Sequence, residues 1–114
     1  MSIRAAVSST DGKVINQHFG KTEFFLIFEL RGGEFQYVEK RSVKPCCNMG
    51  EHEENAFEKT AKALNDCQII LVSKIGGGAA DYMESRGFAV YESPFPINAV
   101  LNKLITDGLV NERS

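Results

Sequence analysis

A chain of 114 residues, 43% of them hydrophobic, is long enough for one core and too apolar for a disordered segment. Its net charge of −2 gives no general attraction to nucleic acid or anionic lipid, and no apolar run approaches the ~20 residues of a membrane span. Cys46, Cys47 and Cys67 make a poor disulfide set, since neighbours rarely bridge and an odd count leaves a thiol free, so a reducing, cytoplasmic setting is expected.

Ile3 to Val7 is a short apolar run, closed by the turn chemistry of Ser8, Ser9, Thr10, Asp11 and Gly12. Lys13 to Glu23 shows no period and holds His18-Phe19-Gly20, a step suited to an ordered loop. Phe24 to Leu30 reads as a strand, Arg31-Gly32-Gly33-Glu34 as a reversal, and Phe35 to Val43, with its imperfect alternation, as the returning strand of a hairpin. From Glu51 to Asn65 the period becomes helical, with Phe57, Ala61 and Leu64 at i, i+4 and i+7. Glu51, Glu53 and Glu54 crowd its first turn, where backbone amides favour negative charge. Ile69 to Val72 is a continuous apolar run of the buried-strand type. Gly76-Gly77-Gly78 precedes a short helix over Ala79 to Ser85, and Phe88 to Tyr91 is the last strand. After the rigid Ser93-Pro94-Phe95-Pro96 turn, Ile97, Val100, Leu101, Leu104 and Ile105 mark a final helix at i, i+3, i+4, i+7 and i+8. Residues 1–114 read as one domain, with an ordered core of about 3–106.

The element order is β-β-β-α-β-α-β-α. A hairpin reverses the second strand, and helical crossovers make the third, fourth and fifth parallel. The predicted packing is a five-stranded mixed sheet of order 3-2-1-4-5 with strand 2 antiparallel, covered on both faces in three layers. This topology sends the loops bearing His18, Cys46 and Cys47, Gly76 to Gly78, and Ser93 to Pro96 to one sheet edge. Ligands of open α/β sheets bind at such carboxyl ends.

Imidazole is largely unprotonated at neutral pH and ligates transition metals, so His18 is either a ligand or a loop histidine bonded to a carbonyl above a buried Phe19. Cys46 and Cys47 precede an acidic helix start, where amides stabilise a thiolate; adjacent side chains do not readily share one ion, and both could be ordinary loop thiols. Cys67, between a helix end and a buried strand, reads as a core residue. Lys74-Ile75-Gly76-Gly77-Gly78 would let backbone amides approach an anion or simply form a tight turn; without a following Lys-Ser/Thr it is no P-loop. Lys40, Arg41 and Lys44 read as a solvated patch. No nucleophile elbow or nucleophile–base constellation supports a hydrolase, and a non-catalytic role is expected.

The pattern around His18 resembles the nitrogenase iron–molybdenum-cofactor-binding domain family. The resemblance covers nearly all of residues 3–106 and rests on Ala6-Val7-Ser8-Ser9 with Asp11-Gly12, on Val14-Ile15-Asn16-Gln17-His18-Phe19-Gly20 with Phe24, and on Asp66-Cys67 leading into Ile75-Gly76. It implies a ribonuclease-H-like sheet, in agreement with the topology above. It also implies that the chain binds and transfers an iron–sulfur or iron–molybdenum–sulfur cofactor or its precursor without turnover. His18 matches the motif histidine regarded as important for cluster binding, and Lys21 a position often held by His, Arg or Lys. Cys46 or Cys47 stands where several members carry a cysteine followed by glycines, although the stretch here departs from that pattern as Cys-Cys-Asn-Met-Gly. On this reading His18 supplies nitrogen ligation and Cys46 or Cys47 sulfur ligation, with Lys21, Lys74 and the amides of Gly76, Gly77 and Gly78 supporting an anionic cluster. The implied partners are metallocluster donor and acceptor proteins, with neither nucleic acid nor membrane, and the chain is expected to be a monomer or weak homo-oligomer. The alternative is a protein-interaction or regulatory module of the same fold that binds no cluster. Stand-alone family members also occur outside nitrogen fixation.

Overall fold

The computed structural model describes residues 3–43 and 53–106. Along the chain run β1 (Ile3–Val7), β2 (Phe24–Arg31), β3 (Glu34–Ser42), α1 (Glu53–Ala63), β4 (Ile69–Val72), α2 (Gly77–Ser85), β5 (Ala89–Glu92) and α3 (Ile97–Thr106). They form a five-stranded sheet of order β3-β2-β1-β4-β5. β2 runs antiparallel to both neighbours, whereas β1–β4 and β4–β5 are parallel. The predicted order and the single reversed strand are therefore what the chain adopts.

Alternation along the strands divides the apolar residues between two cores. Ala6, Phe25, Ile27, Ile70 and Val72 face one way and pack with Leu64, Ala79 and Met83 from the α1–α2 side. Ala5, Val7, Phe28, Leu30, Ile69 and Leu71 face the other way and meet Ile97, Val100, Leu101 and Leu104 of α3. These are the α3 positions that carry the helical period in the sequence. The two packed faces make the expected three layers.

The hairpin reverses through Gly32 and Gly33, both at positive φ (61° and 82°), a two-residue turn that glycine enters at little steric cost. The imperfect alternation of β3 has a local cause. Its register against β2 shifts between Ile27 and Phe28, so that Glu39 faces Ile27 but Tyr37 faces Phe28, leaving Val38 as an extra residue. Val38 packs towards the α1–α2 core, while Tyr37 stays largely exposed and meets the Phe28 ring edge-on.

Three local readings need correction. The glycine run is not a connector ahead of α2: Gly76 is its N-cap, and Gly77 and Gly78 lie within its first turn. The last strand begins at Ala89, one residue later than the sequence period suggests. Lys40 and Arg41 are not a simple solvated patch. Lys40 lies over the Phe24 ring at 4.5 Å. Arg41 bonds the Ala63 carbonyl at 2.8 Å and Asp66 at 2.6 Å, and also pairs with Glu39. Arg4 reaches the same Asp66 at 2.9 Å, so one carboxylate ties β1 and β3 to the end of α1. The Arg41 bonds to Asp66 are the main cause that holds its carboxyl down to about 2.

Candidate functional site

At the opposite end of β4 from Asp66, the chain between β1 and β2 makes an excursion and returns. Ser8 donates its N–H to the Leu71 carbonyl, so β1's pairing with β4 continues one residue past the strand. Residues 9–16 then swing away, held by Asp11, whose carboxylate accepts the N–H groups of Lys13 and Val14 and the Ser9 hydroxyl. Those bonds lower the Asp11 pKa. At Gln17 the chain comes back beside the extension of β4. Ser73 donates to the Gln17 carbonyl at 3.0 Å, and Phe19 donates to the Lys74 carbonyl at 2.9 Å. His18 and Lys74 thereby form a parallel bridge.

Phe19 anchors this arrangement. Its ring is buried against Phe25 and Phe57, at centroid distances of 6.3 and 6.2 Å, and Phe57 in turn meets Tyr82 of α2. Phe19–Lys21 forms a single 3-10 turn. His18, just before it, is in extended backbone with its side chain exposed. The imidazole finds no hydrogen-bond partner among the described residues. Among the described residues the ring bonds no loop carbonyl, although Phe19 is buried as expected.

A shallow pocket of about 250 Å³ lies here, lined by His18, Gly20, Lys21, Lys74, Ile75 and Gly76. Lys21 and Lys74 are exposed, and neither pairs with a carboxylate among the described residues. The Ile75 amide is taken by Glu92 at the end of β5, which accepts it at 2.9 Å. α2 begins without a side-chain cap, and its first intrahelical bond runs from Ala80 to Gly76. The amides of Gly77, Gly78 and Ala79 are thus left without intrahelical acceptors, at the positive end of the helix dipole. An uncapped helix start, two exposed lysines and an imidazole unpaired among the described residues share this edge, an arrangement that can attract an anion and offer one nitrogen donor.

The structure brings together His18, Lys21, Lys74 and Gly76, with Gly77 and Gly78 in the adjoining helical turn. The Ser93–Pro96 turn reaches the same edge but docks on the excursion, where Phe95 accepts the Ile15 N–H and Pro96 bridges Val14. Cys46 and Cys47 lie outside the described residues. Among the described residues, no three His, Cys, Asp or Glu side chains gather closely enough to hold a metal ion. Cys67 sits at the far edge, buried in the α1–α2 core, where desolvation pushes its thiol up to about 12. Sequence reasoning did not foresee Glu92, or Thr22, whose hydroxyl donates to the His18 carbonyl at 2.8 Å. Topology places the end of β5 on this edge, but which carboxylate meets which amide there depends on the tertiary structure.

Residues 1–107 match the family model described as dinitrogenase iron–molybdenum cofactor. The chain belongs to this family. It is 36% identical over 87 residues to the FeMo cofactor biosynthesis protein NifB of Herbaspirillum seropedicae, covering 76% of this chain and 17% of NifB. Against protein NifY of Klebsiella pneumoniae it is 37% identical over 78 residues, 67% of this chain and 31% of NifY. The chain thus spans less than a third of either relative. The crystal structure of PH0822 superposes with a TM-score of 0.71 at 24% identity, over 92% of this chain and 90% of that one. The mj0327 protein of Methanocaldococcus jannaschii does so at 0.61 and 15% identity, over 94% and 91% of the two chains. These two likenesses concern the fold alone. The family description and the NifB name both connect this type of domain to the iron–molybdenum cofactor. No helix among the described residues is long and apolar enough to cross a membrane.

Proposed function

We propose that the chain binds an anionic iron–sulfur or iron–molybdenum–sulfur cluster, or a precursor of one, and passes it on without chemical turnover. The observation that carries this reading is the unpartnered His18 imidazole standing in one pocket with Lys21, Lys74 and Gly76. His18 supplies the nitrogen ligand. Lys21 and Lys74 offset the cluster's charge, and the start of α2 offers amides to its sulfur surface. The pocket is shallow and its lysines exposed, which suits cargo that must leave again. Cys46 or Cys47 supplies a sulfur ligand. Val43, just past β3, donates at 2.9 Å to the carbonyl of Glu23, two residues from Lys21, and Cys46 follows Val43 by three positions in the sequence. The protein acts as one domain over residues 1–114, in the cytoplasm, as a monomer or weak homo-oligomer, and its partners are metallocluster donors and acceptors.

The test is anaerobic incubation of the wild type and His18→Ala with isolated cofactor or a synthetic cluster. Desalting and quantification of iron, sulfide and molybdenum follow. The wild type is expected to retain stoichiometric cluster, and H18A to lose most of it while keeping its fold. A wild type that retains none under several defined loads refutes the carrier reading and leaves an interaction module of the same fold.

A further inference from the structure

Two hydroxyl side chains lie buried beneath the His18 turn: Ser8, 0% exposed, just past β1, and Thr22, 1% exposed, just past the 3-10 turn. Thr22 Oγ1 donates to the His18 carbonyl at 2.8 Å. A hydroxyl carries one proton, so the 2.8 Å contact between Ser8 Oγ and Thr22 Oγ1 has its direction fixed by that bond, and Ser8 is the donor. The Lys21 amide gives the same carbonyl a second bond at 3.0 Å. Ser8 is itself fastened to the sheet, its N–H on the Leu71 carbonyl at 2.9 Å and its own carbonyl accepting Asn16 at 3.3 Å. A continuous chain of donors therefore runs from the central strands, through two side chains, to the backbone of His18.

The contrast within that one residue is informative. Both acceptor positions of its carbonyl are filled and the next residue is bonded across to Lys74, while the imidazole touches no polar partner among the described residues. Packing alone does not call for this pair of hydroxyls, because an apolar side chain of similar shape fills the volume of threonine without a polar atom to satisfy. We infer that Ser8 and Thr22 are positioning residues for His18, holding its carbonyl and so fixing the stretch of backbone from which the ring reaches the pocket. The inference rests on the proposed role of His18 as the cluster ligand and gives the Ser8-Ser9 step of the sequence pattern a physical task.

The test compares wild type with Thr22→Val, Thr22→Ser and Ser8→Ala. In the cluster-free protein, the carbonyl ¹³C shift of His18 reports the bonds it accepts, and exchange of the Lys21 amide reports the turn. After anaerobic loading and desalting, retained cluster is measured per folded chain. T22V is expected to move the His18 carbonyl signal upfield, speed Lys21 exchange and weaken retention by about tenfold, the usual effect of removing a group that orients a ligand. T22S, which keeps the hydroxyl, is expected to restore the signal and the retention, with S8A between the two. A T22V protein that keeps the wild-type carbonyl shift or the wild-type retention overturns the inference. So does a T22S protein that retains as little as T22V, because the hydroxyl would then not be the group that matters. If T22V does not fold, S8A makes the same comparison with Thr22 in place. A wild type that retains no cluster refutes the carrier reading, and the carbonyl shift still decides whether the pair holds the turn.

Discussion

Replacing Gly77 and Gly78 together by Ala should move stability and binding in opposite directions. Neither glycine is demanded by the backbone. Among the described residues the glycines at positive φ are Gly12, Gly32, Gly33 and Gly87, and a Cβ added at position 77 or 78 meets none of their atoms within 4 Å. In a helix interior, alanine is favoured over glycine by about 1 kcal/mol, chiefly through the entropy of the unfolded chain. At the first turn roughly half of that is a fair share, so the double variant should gain about 1 kcal/mol. For a domain of this size that corresponds to a rise in melting temperature of about 4 °C. The added methyl groups would stand where the amides of the α2 start are proposed to meet the cluster, and retention should fall. Thermal and urea unfolding measure the first effect, and anaerobic loading with metal analysis the second. A double variant that melts at or below the wild type refutes the conformational argument. One that is more stable and holds cluster unchanged refutes the role of these amides.

Asp66→Asn should destabilise the fold at neutral pH. The Arg41 bonds lower the Asp66 carboxyl from its usual 3.8 to about 2, so they contribute stability above pH 4 that is lost as pH falls through about 2. With the carboxylate 41% exposed, solvent screening reduces the effect to about 1 kcal/mol. Urea midpoints of variant and wild type should converge between pH 4 and pH 2, and a constant difference across that range would sink the argument. Cys67→Ala should cost about 1–2 kcal/mol through a small cavity without changing cluster retention. In the native wild type, the thiol of Cys67, pushed up to about 12, should resist alkylation at pH 8, as read by peptide mass spectrometry. Substituting both Lys21 and Lys74 by Ala should weaken retention less than H18A does and flatten its dependence on salt, since their contribution is charge. An unchanged salt slope in the double variant would remove them from the site.

The sheet was legible because its signals are local. The Gly32-Gly33 turn, the unbroken Ile69–Val72 run and the α3 stripe each specify an element, and the handedness of crossovers leaves few ways to assemble them. The β3 bulge was not legible, since an extra residue in a strand shows only as faulty alternation until its partner is known. The same limit applied to Arg41. On its strand it looks like a surface cation, and its role depends on Asp66, which the fold brings close from the end of α1. At the site, topology was enough to send His18 and Gly76 to one edge. It could not foresee that Glu92 would occupy the Ile75 amide, or that Ser8 and Thr22 would bond in sequence beneath His18, because both depend on side chains meeting across the tertiary structure.

The parallel bridge between His18 and Lys74 also ties the site to the order in which the chain is made. During synthesis the N-terminal part emerges first, and long-range parallel pairing is slow to close. An emerging chain therefore carries its imidazole well before the strand that aligns it, with neither Lys74 nor the start of α2 yet beside it. Cargo offered at that stage would meet an imidazole not yet aligned with the groups that complete the proposed site. Only when β4 has paired with β1 does the complete set of groups exist. If the chain carries a cluster as proposed, loading would then favour finished molecules over unfinished or unfolded ones.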